Sequence, residues 1–305
     1  KTMLSSYDVF DEGRYFEPAR GRRIFDWQGV KLGVSICKDL REDEEDETKV
    51  VPELCKLGAE LVVNISASPF RSGRFLERLK LLRRRATENG VPIAYCNIVG
   101  GQGEVICDGG SLAVGRDGRL VAAAITFNED AVVVEYDPET GDFVGEAEEP
   151  KVGFEDEVFN ALVLGTRDFH HKQDFAKCVL GLSGGIDSSV VAVIAAHALG
   201  PENVLGVAMP SLISSPESTE DARKLAQSLG IEFAEVPIEE SVKLAEERYA
   251  REFGAHQHPE TRENLQARER GKILMEISND QNRLLLATGN KTEYALGYST
   301  LYGDM

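Results

Sequence analysis

Long apolar runs are missing from this 305-residue chain, and so is any excess of positive charge. No uninterrupted apolar stretch approaches the roughly 18 residues that a membrane helix needs, and the opening KTMLSSYDVFDEGR contains no apolar signal core. These gaps exclude a helical membrane span within the sequence and predict a cytoplasmic protein. Lys and Arg number 34 against 52 Asp and Glu, a formal charge of -18. That balance opposes DNA or RNA as partners, because nucleic-acid affinity comes from cations neutralising phosphates. Cysteine is scarce as well: Cys37, Cys55, Cys96, Cys107 and Cys178 form an odd, scattered set with no C-x-x-C pair. Neither a disulfide framework nor a cysteine zinc site is expected, and a reducing compartment suits such a set. An initiating Met is absent, and no helix cap or tail closes Asp304-Met305, so a fragment is expected.

What is present is the composition of a folded enzyme, 42% apolar and 28% charged, at a length that favours two domains. Alternating apolar residues predict strands at Val30–Cys37, Leu61–Ser66 and Val91–Ile98, with an Arg-rich helix over Arg74–Asn89. Shorter strands are expected at Ser111–Val114, Leu120–Ala124 and Val132–Tyr136, which together read as an α/β sandwich. The six acids Glu42–Glu47 read as a solvated loop or helix start. An acidic, Gly- and Pro-punctuated stretch then separates a first domain, residues 1–145, from a second, 156–305, with the linker at 146–155. In the second domain strands Lys177–Leu182, Val204–Met209 and Ile231–Val236 alternate with helices Ser188–Leu199 and Pro216–Leu229, the latter capped by Ser215 and closed by Gly230. Such alternation predicts a parallel, doubly wound sheet whose ligands sit at the strands' carboxyl ends.

The first of those strands turns into its helix through Gly181, Leu182, Ser183, Gly184, Gly185, Ile186, Asp187, Ser188 and Ser189. Paired glycines let backbone N–H groups approach an anion at a helix N-terminus, and the serines add hydroxyl donors. Asp187 is the odd member, since a carboxylate beside a phosphate calls for a cation between them, and Mg²⁺ is the usual one. A Ser/Gly capping turn is the bland alternative for the loop taken alone. In its strand-to-helix context SGGIDSS closely resembles the signature of the ATP pyrophosphatases, adenine nucleotide alpha hydrolase-like enzymes that cleave ATP to AMP and pyrophosphate.

Downstream, Glu263-Asn264-Leu265-Gln266-Ala267-Arg268, Thr288-Gly289-Asn290-Lys291-Thr292-Glu293 and Thr300-Leu301-Tyr302-Gly303-Asp304 resemble, in order and spacing, the motifs of NAD synthetases. The resemblance implies ATP as co-substrate contacted by Thr288, deamido-NAD held by Asn264 and Glu293, Mg²⁺ shared by Asp187 and Glu293, and a homo-oligomer. Read without it, TGNKTE is a helix N-terminus near an anion or a plain capping turn. Arg268, Arg270 and Lys272 divide evenly between ligand contact and a solvated face.

The first half is similar to the nitrilase-type amidase domain that some NAD synthetases carry to make ammonia from glutamine. Lys1-Thr2-Met3-Leu4-Ser5-Ser6-Tyr7, followed by VFDE and RYF, matches the segment of the catalytic lysine, and Cys37 in GVSICKD stands where the nucleophile belongs. A free thiol, with a pKa of about 8.5, needs a neighbouring cation or base to supply thiolate, and Lys1 is of that type. The resemblance further implies glutamine contacts from Tyr7, Ser68 and Arg74, and a catalytic glutamate upstream of residue 1. Three departures stand out: Lys38 follows Cys37 where the family usually has an acid, Ser5 replaces the usual proline, and the acidic run Glu42–Glu47 replaces the usual aromatic continuation. Two other readings stay open, a different ATP pyrophosphatase acting on RNA or a purine nucleotide, and a first domain that only scaffolds an ammonia-using synthetase.

Overall fold

The computed structural model describes residues 1–7, 9–41, 49–151 and 153–303, with Tyr7 in its backbone alone. The acidic block at 42–47 and the last residue of TLYGD lie outside the described residues. Two compact units divide the chain, Lys1–Gly165 and Thr166–Met305.

In the first unit a six-stranded mixed sheet is built from β1 (Ile24–Trp27), β2 (Val30–Ile36), β3 (Leu61–Ser66), β4 (Ile93–Asn97), β5 (Leu112–Val114) and β6 (Leu120–Ala123). Their spatial order is β6-β5-β4-β3-β2-β1, and the central β2, β3 and β4 run parallel. Helices α1 (Val50–Lys56) and α2 (Arg74–Asn89) cover one face. The period of α2 explains its docking: Phe75, Leu79, Leu82 and Ala86 recur at helical spacing and pack on Val62, Ile93, Tyr95 and Val114. Arg78 and Arg85 fall on the same buried stripe. Alternate residues of the strands, among them Leu32, Leu61, Val63 and Ala94, face a second cluster with Val121 and Phe143. The strand expected at Val132–Tyr136 shrinks to Tyr136–Asp137, paired with Asp142–Phe143. Val133 is 96% exposed, so the alternating pattern there meets no sheet to pack on.

Helix α3 (Phe154–Lys172) contains the division between the units. Its first turns belong to the first unit, where Ala161 and Leu164 pack with Phe127, and the buried Glu157 accepts hydrogen bonds from Ser72 Oγ and the Gly73 amide.

The second unit is a parallel four-stranded sheet, in order β9-β8-β7-β10, made of β7 (Lys177–Gly181), β8 (Val204–Ala208), β9 (Glu232–Glu235) and β10 (Arg283–Leu286). Both faces are covered, which is why β7 and β8 read as unbroken apolar runs. Cys178, Leu180 and Val204 meet alanines of α4 (Ile186–Leu199) and α5 (Pro216–Leu229). Val179, Leu205 and Val207 meet Val242 of α6 (Glu239–Phe253) and Leu274 of α7 (Glu260–Gln281). Helix α5 begins and ends where local chemistry predicts: the Ser215 hydroxyl accepts the Glu217 amide at 3.2 Å, and Gly230 closes it at φ +72°. A short α8 (Lys291–Leu296) follows β10.

Candidate functional site

Parallel register brings the first site together. Ile36, Ile65 and Cys96 are partners across β2, β3 and β4, so the next residues, Cys37, Ser66 and Asn97, emerge side by side at the strands' carboxyl ends. Cys37 opens a 3₁₀ turn, Cys37–Leu40, with φ +49°, a left-handed backbone that a non-glycine residue keeps only where its surroundings over-determine it. A cavity of about 20 Å³, room for one water, is lined by Cys37, Ser66, Ser68, Arg78, Tyr95 and neighbouring leucines. Asn97, buried, fixes the Ser68 loop by accepting the Ser68 amide at 2.8 Å and donating to the Gly109 carbonyl at 2.9 Å. The Ser68 hydroxyl is buried beside the Tyr95 phenol. Behind it Arg78 makes a bidentate pair with Asp108, both buried, and lies 6.0 Å from the Tyr95 ring centroid. Burial pushes the Tyr95 phenol above its ordinary value against the pull of the Arg78 charge.

Lys1 does not hydrogen-bond Cys37 among the described residues; its ammonium pairs with Glu12. Burial alone would raise the Glu12 carboxyl, but Lys1 and the Ser5 amide, which donates at 2.5 Å, outweigh it and hold Glu12 below its ordinary value. Glu12 escaped the sequence reading although its signal, the acid of VFDE eleven residues after the lysine, stood in the quoted motif. Arg74 opens α2 with one guanidinium nitrogen 3.1 Å from Glu77 and its Nε buried without a hydrogen-bond partner. The Tyr7 side chain lies outside what is described.

The second site follows the sheet's carboxyl edge. A cavity of about 1040 Å³ is walled by Gly181, Leu182 and Ser183 after β7, Met209 and Pro210 after β8, Leu286 and Thr288 at the end of β10, and one side of α7 from Ala267 to Met275. Its volume is at the upper end for a small-molecule site, and its place is where doubly wound sheets bind ligands. Gly184 through Ser189 are not in its wall. The Ser183-to-Ser189 turn is organised by its own hydroxyls: the Ser188 hydroxyl lies 3.1 Å from that of Ser183 and donates to the Gly185 carbonyl at 3.1 Å, and Ser189 donates to the same carbonyl at 2.7 Å. Ser188 is buried, so it shapes the loop from within. Gly184 has φ +84°, and a Cβ there would lie 2.2 Å from the Ser218 carbonyl oxygen.

Arg270 sits in the cavity wall, where its Nε donates to the Met209 carbonyl at 3.1 Å and burial depresses the guanidinium pKa. No ion pair to a carboxylate is found for it among the described residues, so the wall carries a desolvated cation. Asp187 is exposed in the first turn of α4 and accepts from Asn290 Nδ2 at 3.2 Å. Asn290 also exchanges a capping box with Glu293, each accepting the other's amide. Asn290, absent from the expected ligands, thus bridges the two expected metal carboxylates. Asn264 lies outside the cavity wall and accepts the Thr300 hydroxyl at 2.8 Å.

Residues 6–144 match the carbon-nitrogen hydrolase family model and residues 158–305 the NAD synthase model. Glutamine-dependent NAD(+) synthetases of Synechocystis sp. and Thermotoga maritima are 44% and 40% identical over 100% of this chain, which covers 56% and 58% of their lengths. The structure of the glutamine-dependent NAD+ synthetase from Acinetobacter baumannii in complex with ADP superposes with a TM-score of 0.93 at 37% identity, covering 100% of this chain and 57% of that one. The chain therefore spans a little over half the length of the relatives it matches.

Proposed function

The chain belongs to the glutamine-dependent NAD synthetase family, and from that premise we propose that it amidates deamido-NAD at the expense of ATP, with ammonia released from glutamine. The observation that carries this reading is the 1040 Å³ cavity of the second unit, joined to a Ser-Gly-Gly turn on one strand end, Thr288 on another and the uncompensated Arg270 in its wall.

In the first unit the Cys37 thiolate attacks the carboxamide carbon of glutamine, ammonia leaves, and water hydrolyses the thioester to glutamate. Lys1, oriented by its pair with Glu12, stabilises thiolate and oxyanion; Tyr7, Ser68 and Arg74 bind the rest of the substrate. The buried Nε of Arg74, without a hydrogen-bond partner among the described residues, supports that assignment, because buried donors without partners await a ligand. In the second unit the turn Gly181 to Ser189 and Thr288 hold ATP, and Asn264 and Glu293 position deamido-NAD. The nicotinate carboxylate displaces pyrophosphate from the α-phosphorus, and ammonia then displaces AMP. Arg270 suits a phosphate or carboxylate of these substrates.

The donor chemistry fits Mg²⁺, which takes one or two carboxylates and completes its shell with substrate phosphates. Asp187 offers a solvent-facing carboxylate beside the turn, and Glu293, with one oxygen already on the Asn290 amide, is its second holder. Among the described residues no larger cluster of metal-ligating side chains is gathered. Bound there, the ion supplies charge neutralisation of the triphosphate.

The test is NAD formation from deamido-NAD, ATP and Mg²⁺ by the whole protein, with glutamine or ammonium as nitrogen source. Synthesis with both is expected. Synthesis with ammonium alone would reduce the first unit to a scaffold, and AMP release with another acceptor would replace the substrate.

A further inference from the structure

We propose that Asp39 is a positioning residue of the Cys37 site, whose buried carboxylate ties the backbone carrying Lys1 to the turn carrying Cys37 and so holds the cation in range of the thiol. The inference rests on the amidase reading above.

Asp39 lies two residues beyond Cys37 and is 3% exposed. One oxygen does local work: Oδ2 accepts the Ile36 amide at 3.1 Å and caps the 3₁₀ turn, as a short polar residue there commonly does. The other oxygen serves no need of the turn. Oδ1 accepts the amides of Thr2 at 2.9 Å and Met3 at 2.8 Å, from a segment more than thirty residues earlier in the chain. No Lys or Arg pairs with Asp39 among the described residues, so its recorded bonds run to backbone from the two segments that carry the thiol and the cation.

The mechanical logic follows from what the other contacts leave undone. Glu12 grips the Lys1 ammonium and the Ser5 amide, which fixes the lysine relative to the 3₁₀ turn Glu12–Arg14. Nothing in that grip refers to Cys37. Arg85 pins the far end of the nucleophile turn by donating from Nε to the Leu40 carbonyl at 3.1 Å. Asp39 supplies the link between the two, with two amides on one oxygen and one on the other, an arrangement that restrains translation and rotation together. The left-handed backbone of Cys37 requires such over-determination, since φ +49° is disfavoured for a residue with a Cβ.

Asp39→Asn keeps the size of the side chain, removes its charge and turns one acceptor into a donor facing an amide. In the whole protein, the pH dependence of Cys37 alkylation by iodoacetamide, read by peptide mass, is compared among wild type, Asp39→Asn, Lys1→Met and the double variant. Asp39→Asn is expected to move the alkylation midpoint upward and to lower the rate near neutral pH about tenfold; losing the Asp39 charge alone would lower the midpoint, and Arg41 and Arg78 still line the Cys37 cavity, so an upward move reports the displaced Lys1. The kcat of glutamine hydrolysis falls in parallel, with KM for glutamine within about twofold because the pocket is not touched. Because Asp39 acts through Lys1, adding Asp39→Asn to Lys1→Met produces no further upward shift, since only the direct loss of the Asp39 charge remains. A shift that persists undiminished in the Lys1→Met background, or an unmoved midpoint in an Asp39→Asn protein that melts like wild type, overturns the proposal. Should Asp39→Asn fail to fold, Thr2→Pro deletes one donor and leaves the turn intact; it carries the same expectation, and an unmoved midpoint overturns it equally. A wild-type protein that hydrolyses no glutamine defeats the amidase reading, while the alkylation midpoints still decide whether Asp39 couples Lys1 to Cys37.

Discussion

At the scale of single residues, what matters is how burial treats groups of one kind. The thiols differ sharply: burial pushes Cys178 up to about 12, Cys107 is buried too, Cys96 is exposed and Cys37 is half-buried in a polar turn. Composition cannot separate them, because their neighbours come from distant strands. Glu12 shows the same dependence in a carboxylate. Its pKa is lower in the folded chain than its ordinary 4.5, so the Lys1 pair contributes stability above that value and loses it as pH falls through the folded pKa. Glu12→Gln removes the titrating group. Thermal unfolding between about pH 3 and pH 6 should therefore fall more steeply for wild type than for the variant, by on the order of 1 kcal/mol across the range. Parallel curves would show that Glu12 does not titrate against Lys1.

At the scale of elements, turns were legible and partners were not. Ser215, Pro216 and Gly230 mark α5 because capping is satisfied within four residues. Arginine is mostly exposed, and nothing local in α2 marks Arg78 and Arg85 as exceptions. Both are buried, because Asp108 and the Leu40 carbonyl, 30 and 45 residues away, meet them there. β10 is only four residues long and carries little pattern of its own, yet it brings Thr288 to the cavity. The phosphate turn is the element most exposed to a single change. At Gly184 both φ +84° and the Ser218 carbonyl 2.2 Å from a Cβ position exclude a side chain. Gly184→Ala should abolish NAD formation with either nitrogen source and cost about 1–3 kcal/mol in stability, measured by denaturant unfolding. A variant active with both sources would remove the turn from the ATP site.

At the scale of the whole molecule, the proposed function assigns separate chemistry to the two units, so the two sites are expected to fail separately. Cys37→Ala should lose glutamine-driven synthesis by at least about a hundredfold and keep ammonium-driven synthesis within about twofold, because nucleophile and adenylation site share no residue. Parallel loss of both would place Cys37 in a structural role. No helix among the described residues is long and apolar enough to cross a membrane, as the missing apolar runs implied. The sequence by itself determined the α/β class, the family and the order of the two family regions, because hydrophobic period, caps and glycine-rich turns are local signals; the residues of both sites it offered as expectations. Only the tertiary structure decided that Glu12 holds Lys1, that Asp39 joins Lys1 to Cys37, that Asn290 bridges Asp187 to Glu293 and that Arg270 is the desolvated cation. Apart from the Lys1 pair, eleven residues apart, each depends on pairing across tens of residues or on burial, which the spacing of neighbours does not encode.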